Sequence, residues 1–307
     1  MGFCMGVNNT ASSSTRGIQL MLIGAFILPI MDAASKMMGE SIASGVTVLA
    51  RFSLQSLFLL PFVWPSLVWP SRQTLVLHFW RSISICAATV CFFTAIQVMP
   101  IADSLAIFFV MPLIVTLLAP WFLDETVGWH RIAAVVVGLV GAIIIIQPSY
   151  ALFGPRTLLP LGTACSFSAY LLLTRKLARN REEKGLTPLS MQFYVGVIST
   201  LIMIVVLLLM RTTEIAVFQL SWPEAWQWRW LLLVGVIAAV GHLVIANAFR
   251  YADASTLAPF QYFELVSAVL LGWWLFDDIP GLSTWVGALI LVGSGLYIFH
   301  REGVRSS

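Results

Sequence analysis

The sequence predicts an all-α membrane protein of about ten transmembrane helices, arranged as two inverted five-helix repeats. Three observations lead to this prediction: a low content of charge, a series of long apolar runs, and an internal repeat. Of the 307 residues, 59% are hydrophobic and only 10% are charged, whereas soluble globular domains carry roughly 25% charged residues. Lipid is therefore the expected solvent for most of the chain.

Ten apolar runs are each long enough to cross a hydrocarbon core of roughly 30 Å as a helix. They lack the alternating pattern of barrel strands, and inside lipid only a helix or a closed barrel satisfies the backbone. The first run shows no clear cleavage site, so we interpret it as a retained helix. The predicted helices cover residues 17–38, 45–67, 76–98, 101–123, 129–148, 157–178, 189–210, 228–249, 254–276 and 282–300.

The positions of Lys and Arg predict the orientation, because cytoplasmic loops retain positive charge during insertion. If the amino end is inside, most basic residues fall on the cytoplasmic side, including Arg81 and the charged connection 175–184. Only Arg156, Arg211 and Arg229 remain outside. We therefore expect a multi-pass protein of the inner (plasma) membrane with both termini in the cytoplasm.

The internal repeat places residues 101–106 over residues 253–258 with a shift of 152 positions. The same shift carries Glu125 onto Asp277 and Gly141 onto Gly293. Chance similarity between two apolar helices is the alternative, but the matched acidic residues favour duplication. The predicted halves are residues 1–148 and 149–307, each with five helices.

An odd number of helices per half requires the second half to enter the membrane in the opposite direction. The turn at Asp124 and Glu125 then lies inside, and the turn at Asp277 and Asp278 lies outside. Inverted halves of this kind can exchange conformations around a site near the middle of the membrane, which is a route to alternating access. The repeat is thus the feature of the sequence that favours transport.

At these residues the chain resembles the drug/metabolite transporter superfamily, and specifically its EamA-type members. The resemblance covers nearly the whole chain and is carried by residues 31–36, by residues 50–52, and by the segment from Met111 and Pro112 to Asp124 and Glu125. It implies two homologous five-helix halves and transport of small metabolites. Relatives of this type include amino-acid exporters and importers of riboflavin or S-adenosylmethionine, so the resemblance leaves the substrate open.

Ionisable residues inside apolar runs are functional candidates, because a charge at mid-bilayer costs about 2.5–3.5 kcal/mol on insertion scales. Asp32 and Lys36 are four positions apart, on one face of the first helix, where they could form an ion pair for coupling or for structure. The alternative for Lys36 is that it extends to the outer surface. Arg51 either bridges to an acid such as Asp32 or binds a substrate anion through its planar guanidinium.

Glu264 lies near the centre of the ninth run and is the predicted coupling group, because a carboxyl group there can exchange protons. A structural hydrogen bond is its alternative. Gln261, Tyr262 and Tyr170 are predicted to line the substrate site, since an aromatic ring can stack on a flat ligand. His242 and Asn247 in the eighth run are weaker candidates for lining the pore, and Asn247 is counted with the residues of the substrate site. Three prolines, Pro29, Pro112 and Pro259, could break a helix where it lines a cavity and act as hinges.

The leading functional hypothesis is a secondary transporter for an amino acid or related compound, driven by a gradient. A phosphate-binding Gly-rich motif is absent from the sequence, which argues against direct use of ATP. The alternative is uptake of a vitamin or nucleoside-like cofactor; a membrane-embedded enzyme or a scaffold is less favoured. We expect a small-molecule substrate, contact with lipid and a monomer or homodimer, with no catalytic residues, nucleic acid, metal or cofactor.

Overall fold

The computed structural model describes residues 5–123, 129–179, 187–252 and 254–306 of the chain. Throughout these ranges the regular secondary structure is helical. The twelve α-helices of the described residues are α1 Met5–Met38, α2 Ser44–Val63, α3 Arg72–Ile96, α4 Ile101–Phe108, α5 Met111–Leu123, α6 Trp129–Phe153, α7 Leu159–Arg179, α8 Pro188–Met210, α9 Gln227–Ala248, α10 Ala254–Gln261, α11 Phe263–Phe276 and α12 Leu282–Ser306.

Two of the predicted spans are each divided into a pair of helices. The run 101–123 breaks between α4 and α5, and the run 254–276 breaks at Tyr262 between α10 and α11. Pro112 follows the first break directly, as expected of a residue that has no N–H and that clashes with the preceding turn. Pro259 lies in α10 shortly before the second break. No break forms at Pro29, because α1 continues through it.

Helix pairs that are distant in sequence form the bundle: α1 packs on α9, α3 on α7, α6 on α12, and α2 on both α8 and α9. The crossing of α6 and α12 is close because glycines meet there. A Cβ atom at Gly141 would lie 2.8 Å from the carbonyl oxygen of Gly287. Small residues permit this approach of helix backbones in a membrane.

Seven stretches of the described helices are long and apolar enough to span a membrane. One of them, Ile132–Leu177, joins α6 and α7. The all-helical prediction is confirmed, whereas the count of ten spans and the division into inverted halves stay predictions. The turn at Asp124 and Glu125 and residues 180–184 of the connection 175–184 lie outside the described residues.

One correction concerns Arg81, which the sequence assigned to the charges flanking a cytoplasmic loop. The structure places it in the interior of α3 with 1% of its surface exposed. Its distance from the start of the helix and its contacts with α7 remove it from water. Arg81 is therefore a buried charge that needs its own explanation.

Candidate functional site

The two broken spans meet at their breaks. Phe109 lies in the break between α4 and α5, Tyr262 lies in the break between α10 and α11, and their ring centroids are 4.9 Å apart. The breaks occur at positions related by nearly the shift of 152 that aligns the two parts of the sequence. In membrane transporters, interrupted helices of this kind commonly line the substrate site, because they present backbone groups and side chains to a cavity.

Arg51 of α2 is buried, with 3% of its surface exposed. Its Nη1 donates to Thr89 Oγ1 of α3 at 3.1 Å, and its Nη2 is 3.4 Å from His242 Nε2 of α9. Its Nε has no hydrogen-bond partner among the described residues. The guanidinium is thus positioned by neutral groups and keeps donor capacity for an anion.

The His242 ring is oriented by its own helix. Its Nδ1 lies 2.8 Å from the carbonyl oxygen of Ala238. A carbonyl oxygen only accepts, so Nδ1 carries the proton, and in the neutral ring Nε2 is then free to accept from Arg51. His242, which the sequence ranked as a weak candidate, therefore acts as a neutral support for Arg51.

Two carboxyl groups complete the cluster. Asp32 of α1 is buried, and Glu264 in the first turn of α11 is half-buried. Asp32 lies within electrostatic range of both Arg51 and Glu264. Four helices, α1, α2, α9 and α11, thus bring two acids and one guanidinium together, and we call Asp32, Arg51, His242 and Glu264 the central cluster. If both acids are ionised and His242 is neutral, the central cluster has a net charge of −1.

The predicted pairing of Lys36 with Asp32 is not the one the structure forms. Lys36 Nζ is 2.6 Å from Asp278 Oδ2, beyond the end of α11, and it also donates to the carbonyl oxygen of Met99 at 3.0 Å. A spacing of four residues would allow Lys36 to pair with Asp32 on α1. The flexible Lys36 side chain instead extends past the end of α1, while Asp32 points into the bundle. Asp32 is therefore left to the central cluster.

The short turn after α11 positions Asp278 for this contact. Asp277 adopts a left-handed conformation with φ 57°, and the Asp278 N–H donates to the carbonyl oxygen of Gly272 at 3.0 Å. This is the hydrogen-bond pattern of a helix C-terminal cap. Lys36 and Asp278 therefore connect the ends of α1 and α11 at one end of the bundle.

We expect a double-mutant cycle of Lys36→Gln and Asp278→Asn to give a coupling free energy of about 1–2 kcal/mol. The side chains are 13% and 27% exposed, so water screens this pair only partly. The matched control is Arg156–Glu40, whose side chains are 55% and 67% exposed, and its coupling should stay below about 1 kcal/mol. Thermal unfolding in detergent measures both cycles. Equal coupling free energies would contradict the conclusion that Lys36–Asp278 is the more strongly coupled pair.

Tyr262 and Gln261, which the sequence predicts to line the substrate site, lie at the second helix break. Gln261 is half-buried and Tyr262 is buried. The Tyr262 hydroxyl has no hydrogen-bond partner among the described residues. It points at Gly295 of α12, where any Cβ atom would overlap it. The absence of a side chain at Gly295 therefore makes room for the Tyr262 ring.

We expect Gly295→Ala to destabilise the protein by about 1–3 kcal/mol, because the added methyl group must displace the Tyr262 ring. The matched control is Gly293→Ala, where a Cβ atom would meet nothing within 4 Å. That variant should gain about 1 kcal/mol from the better helix propensity of alanine. Opposite shifts of the two unfolding temperatures are the expected result, and shifts of the same sign would contradict this packing.

Two other predicted residues have different surroundings. Tyr170 of α7 is buried, packs on Phe167 and lies under the guanidinium of Arg81. Asn247 donates to the carbonyl oxygen of Leu243 at 2.8 Å and accepts from Arg250 at 3.4 Å. Asn247 therefore uses its amide on and next to its own helix, and its assignment to the substrate site has no support from these contacts.

A groove between α6 and α12, lined by residues that include His130 and Ser294, lies apart from the central cluster. Its walls carry exposed apolar side chains, among them Val137 at 53% and Leu289 at 71%. In a membrane such surfaces contact lipid. We therefore take the central cluster, and not this groove, as the candidate site.

Comparison with known proteins gives a family match over most of the chain. The model of the EamA-like transporter family matches twice, over residues 15–147 and 157–299. Among curated relatives, an S-adenosylmethionine uptake transporter of Rickettsia bellii is 27% identical over 290 residues, which cover 91% of this chain and 94% of that protein. A riboflavin transporter of Vibrio cholerae is 33% identical over 211 residues, which cover 67% of this chain and 65% of that protein.

A pseudopaline exporter of Pseudomonas aeruginosa is 24% identical, covering 90% of this chain and 93% of that protein. A solved crystal structure superposes with a TM-score of 0.60 over 95% of this chain and 98% of the other, at 14% identity, which shows the fold alone. The resemblance to EamA-type members of the drug/metabolite transporter superfamily is confirmed. The predictions of a membrane transporter of small molecules, and not an enzyme, are confirmed with it.

Proposed function

This chain belongs to the EamA-like transporter family, and from that premise we propose that it takes up a nucleoside-like cofactor, with S-adenosylmethionine as the first candidate. The relatives favour this alternative over the export of amino acids that led the sequence interpretation, since several are named for uptake of S-adenosylmethionine. The proposal rests on one observation, the composition of the central cluster.

The charges of the central cluster complement those of S-adenosylmethionine. That molecule carries a sulfonium cation, an ammonium group and a carboxylate, with a net charge of +1 at neutral pH. When both are ionised, Asp32 and Glu264 supply the counter-charges for the two cations, and Arg51 has donor capacity for the carboxylate. The central cluster with its bound substrate is then neutral overall, which lowers the free-energy cost of moving the substrate through a region of low dielectric constant.

The adenine ring has aromatic neighbours in the same place. Phe109 and Tyr262 meet at the two helix breaks, and an aromatic face gains from stacking on a flat base. Riboflavin, the second candidate suggested by the relatives, would use the same rings. It is uncharged, so it would leave the two acids and Arg51 without partners in the ligand, and we rank it below S-adenosylmethionine for that reason.

Movement of the substrate would follow alternating access. We propose that residues 1–148 and 149–307 form inverted halves, with ten spans and both termini in the cytoplasm. In that orientation the Lys36–Asp278 pair lies at the outer end of the bundle and joins the two halves across it. Breaking this pair would open the central cluster to the outside, and a change in the proton occupancy of Glu264 would couple the movement to a gradient.

Substrate counterflow in proteoliposomes tests the proposed function. Vesicles loaded with unlabelled S-adenosylmethionine should transiently accumulate the labelled compound, and protein-free vesicles should not. Unlabelled riboflavin and L-methionine should compete at least tenfold more weakly, because each lacks part of the charge pattern. Accumulation of labelled riboflavin without that of S-adenosylmethionine would overturn the substrate assignment, and no accumulation of either would overturn cofactor uptake.

A further inference from the structure

Arg81 is the largest of the fully buried side chains and lies in a helix of membrane-spanning length. A permanently charged guanidinium in such a position is expensive to maintain. Among the described residues, Lys36 and Arg156 are the basic side chains that form ion pairs with carboxylates. Arg81 forms no such pair there. The central cluster does not use Arg81, so its burial has no explanation from the transport site described above.

The contacts of Arg81 are all with neutral groups. Its Nε donates to Thr174 Oγ1 of α7 at 2.9 Å, its Nη1 is 3.0 Å from His78 Nδ1, and its guanidinium lies 5.2 Å from the centroid of the Tyr170 ring. These groups orient the guanidinium between α3 and α7. None of them carries a negative charge to balance it.

His78 adds an unsatisfied donor next to this buried charge. Because the guanidinium can only donate, His78 Nδ1 is the acceptor and the ring proton is on Nε2. That Nε2 is buried without a hydrogen-bond partner among the described residues. Arg81 and His78 therefore form a buried cluster with an excess of positive charge and of donors, which is the arrangement that an anion would complete.

Tyr170 connects this cluster to the central cluster. It lies within electrostatic range of both Arg51 and Arg81. Along α3, Thr89, which holds Arg51, is eight residues from Arg81, a rise of about 12 Å. The guanidinium of Arg51, from α2, and that of Arg81, from α3, therefore contact α3 at levels about 12 Å apart, with Arg81 nearer the end of the bundle where α3 begins.

We propose that Arg81 and His78 form a second anion-binding subsite, which takes the carboxylate or phosphate group of a small organic anion. In the orientation proposed above it lies on the cytoplasmic side of Tyr170, where it would receive the substrate carboxylate released by Arg51. The receipt of the substrate carboxylate from Arg51 rests on the proposed function. The binding of an anion at Arg81 is independent of it.

Anion-dependent stability of the purified full chain tests the subsite. Unfolding temperature is measured against increasing sodium phosphate, and separately sodium acetate, with sodium chloride at equal ionic strength as reference. At least one anion should stabilise the wild type, the Arg51→Gln variant and the exposed-site control Arg156→Lys. In the Arg51→Gln background, which removes the other guanidinium that can bind an anion, Arg81→Lys should raise the apparent dissociation constant at least tenfold, because an ammonium group cannot form the paired hydrogen bonds of a guanidinium.

Each variant is compared with itself in chloride, so a general loss of stability in Arg81→Lys does not affect the reading. No stabilisation of the Arg51→Gln variant by either anion, or the same dissociation constant in Arg51→Gln with and without Arg81→Lys, would overturn the subsite. If the anion response depends on Arg81 but labelled S-adenosylmethionine is not carried, the proposed substrate fails and the subsite stands. If efflux of the carried substrate is unaffected by Arg81→Lys, the subsite binds a free anion and its role in the pathway is wrong.

Discussion

Glu264→Gln is expected to abolish gradient-driven uptake in proteoliposomes while substrate exchange continues. Driven transport needs a group that binds a proton on one side of the membrane and releases it on the other. Glu264 is placed for this, because it lies at the start of α11, next to the second helix break and within electrostatic range of Asp32. Glutamine keeps the shape and the hydrogen-bonding capacity of the side chain but cannot change its charge.

Two assays on the same vesicles separate the outcomes. An imposed pH gradient measures driven uptake, and counterflow with substrate on both sides measures exchange, which should persist at a raised KM because one counter-charge is lost. Glu40→Gln is the matched control, since Glu40 is an exposed acid paired with Arg156, and it should leave both activities unchanged. Unchanged driven uptake in Glu264→Gln would remove Glu264 as the coupling group.

Arg51→Lys is expected to weaken the binding of a carboxylate-bearing substrate by roughly 10- to 100-fold. A hydrogen bond to a charged group contributes about 1.5–3 kcal/mol, which is a factor of this size. The Arg51 guanidinium is held by Thr89 and His242 with its Nε unpartnered among the described residues. A lysine ammonium keeps the charge but cannot reproduce these directed donors.

The comparison ligand for Arg51 is decarboxylated S-adenosylmethionine, which keeps the sulfonium and the adenine ring. Its dissociation constant should be nearly the same in the wild type and in Arg51→Lys. Equilibrium dialysis with both labelled ligands measures the difference, and thermal unfolding reports the fold. Equal weakening of both ligands, or a loss of stability that matches the loss of binding, would favour a structural bridge over a substrate site.

The helices, and three members of the central cluster, could be predicted from the sequence for a simple physical reason. Length and hydropathy determine where a chain crosses lipid, and an ionisable residue inside an apolar run stands out against that background. Asp32, Arg51 and Glu264 were found in this way. The break before Pro112 was also predictable, because proline removes a backbone donor.

The partners of these residues could not be predicted, because they depend on how distant helices pack. Lys36 contacts Asp278, which is 242 positions away, and no local spacing distinguishes that partner from Asp32. The sequence counts Arg81 among the charges on the cytoplasmic side because it lies near the start of an apolar run, and only its packing against α7 shows that it is buried. His242 was ranked too low for the same reason, since its role depends on its contact with Arg51.

The most direct test of the central cluster as the substrate site is a crystallographic one. Crystals of the full chain with the selenium analogue of S-adenosylmethionine would give an anomalous signal from the selenonium cation. We expect a peak within about 6 Å of the Asp32 or Glu264 carboxyl group, the range over which opposite charges stabilise one another. A peak in the lipid-facing groove between α6 and α12, or anywhere else away from these two acids, would contradict it.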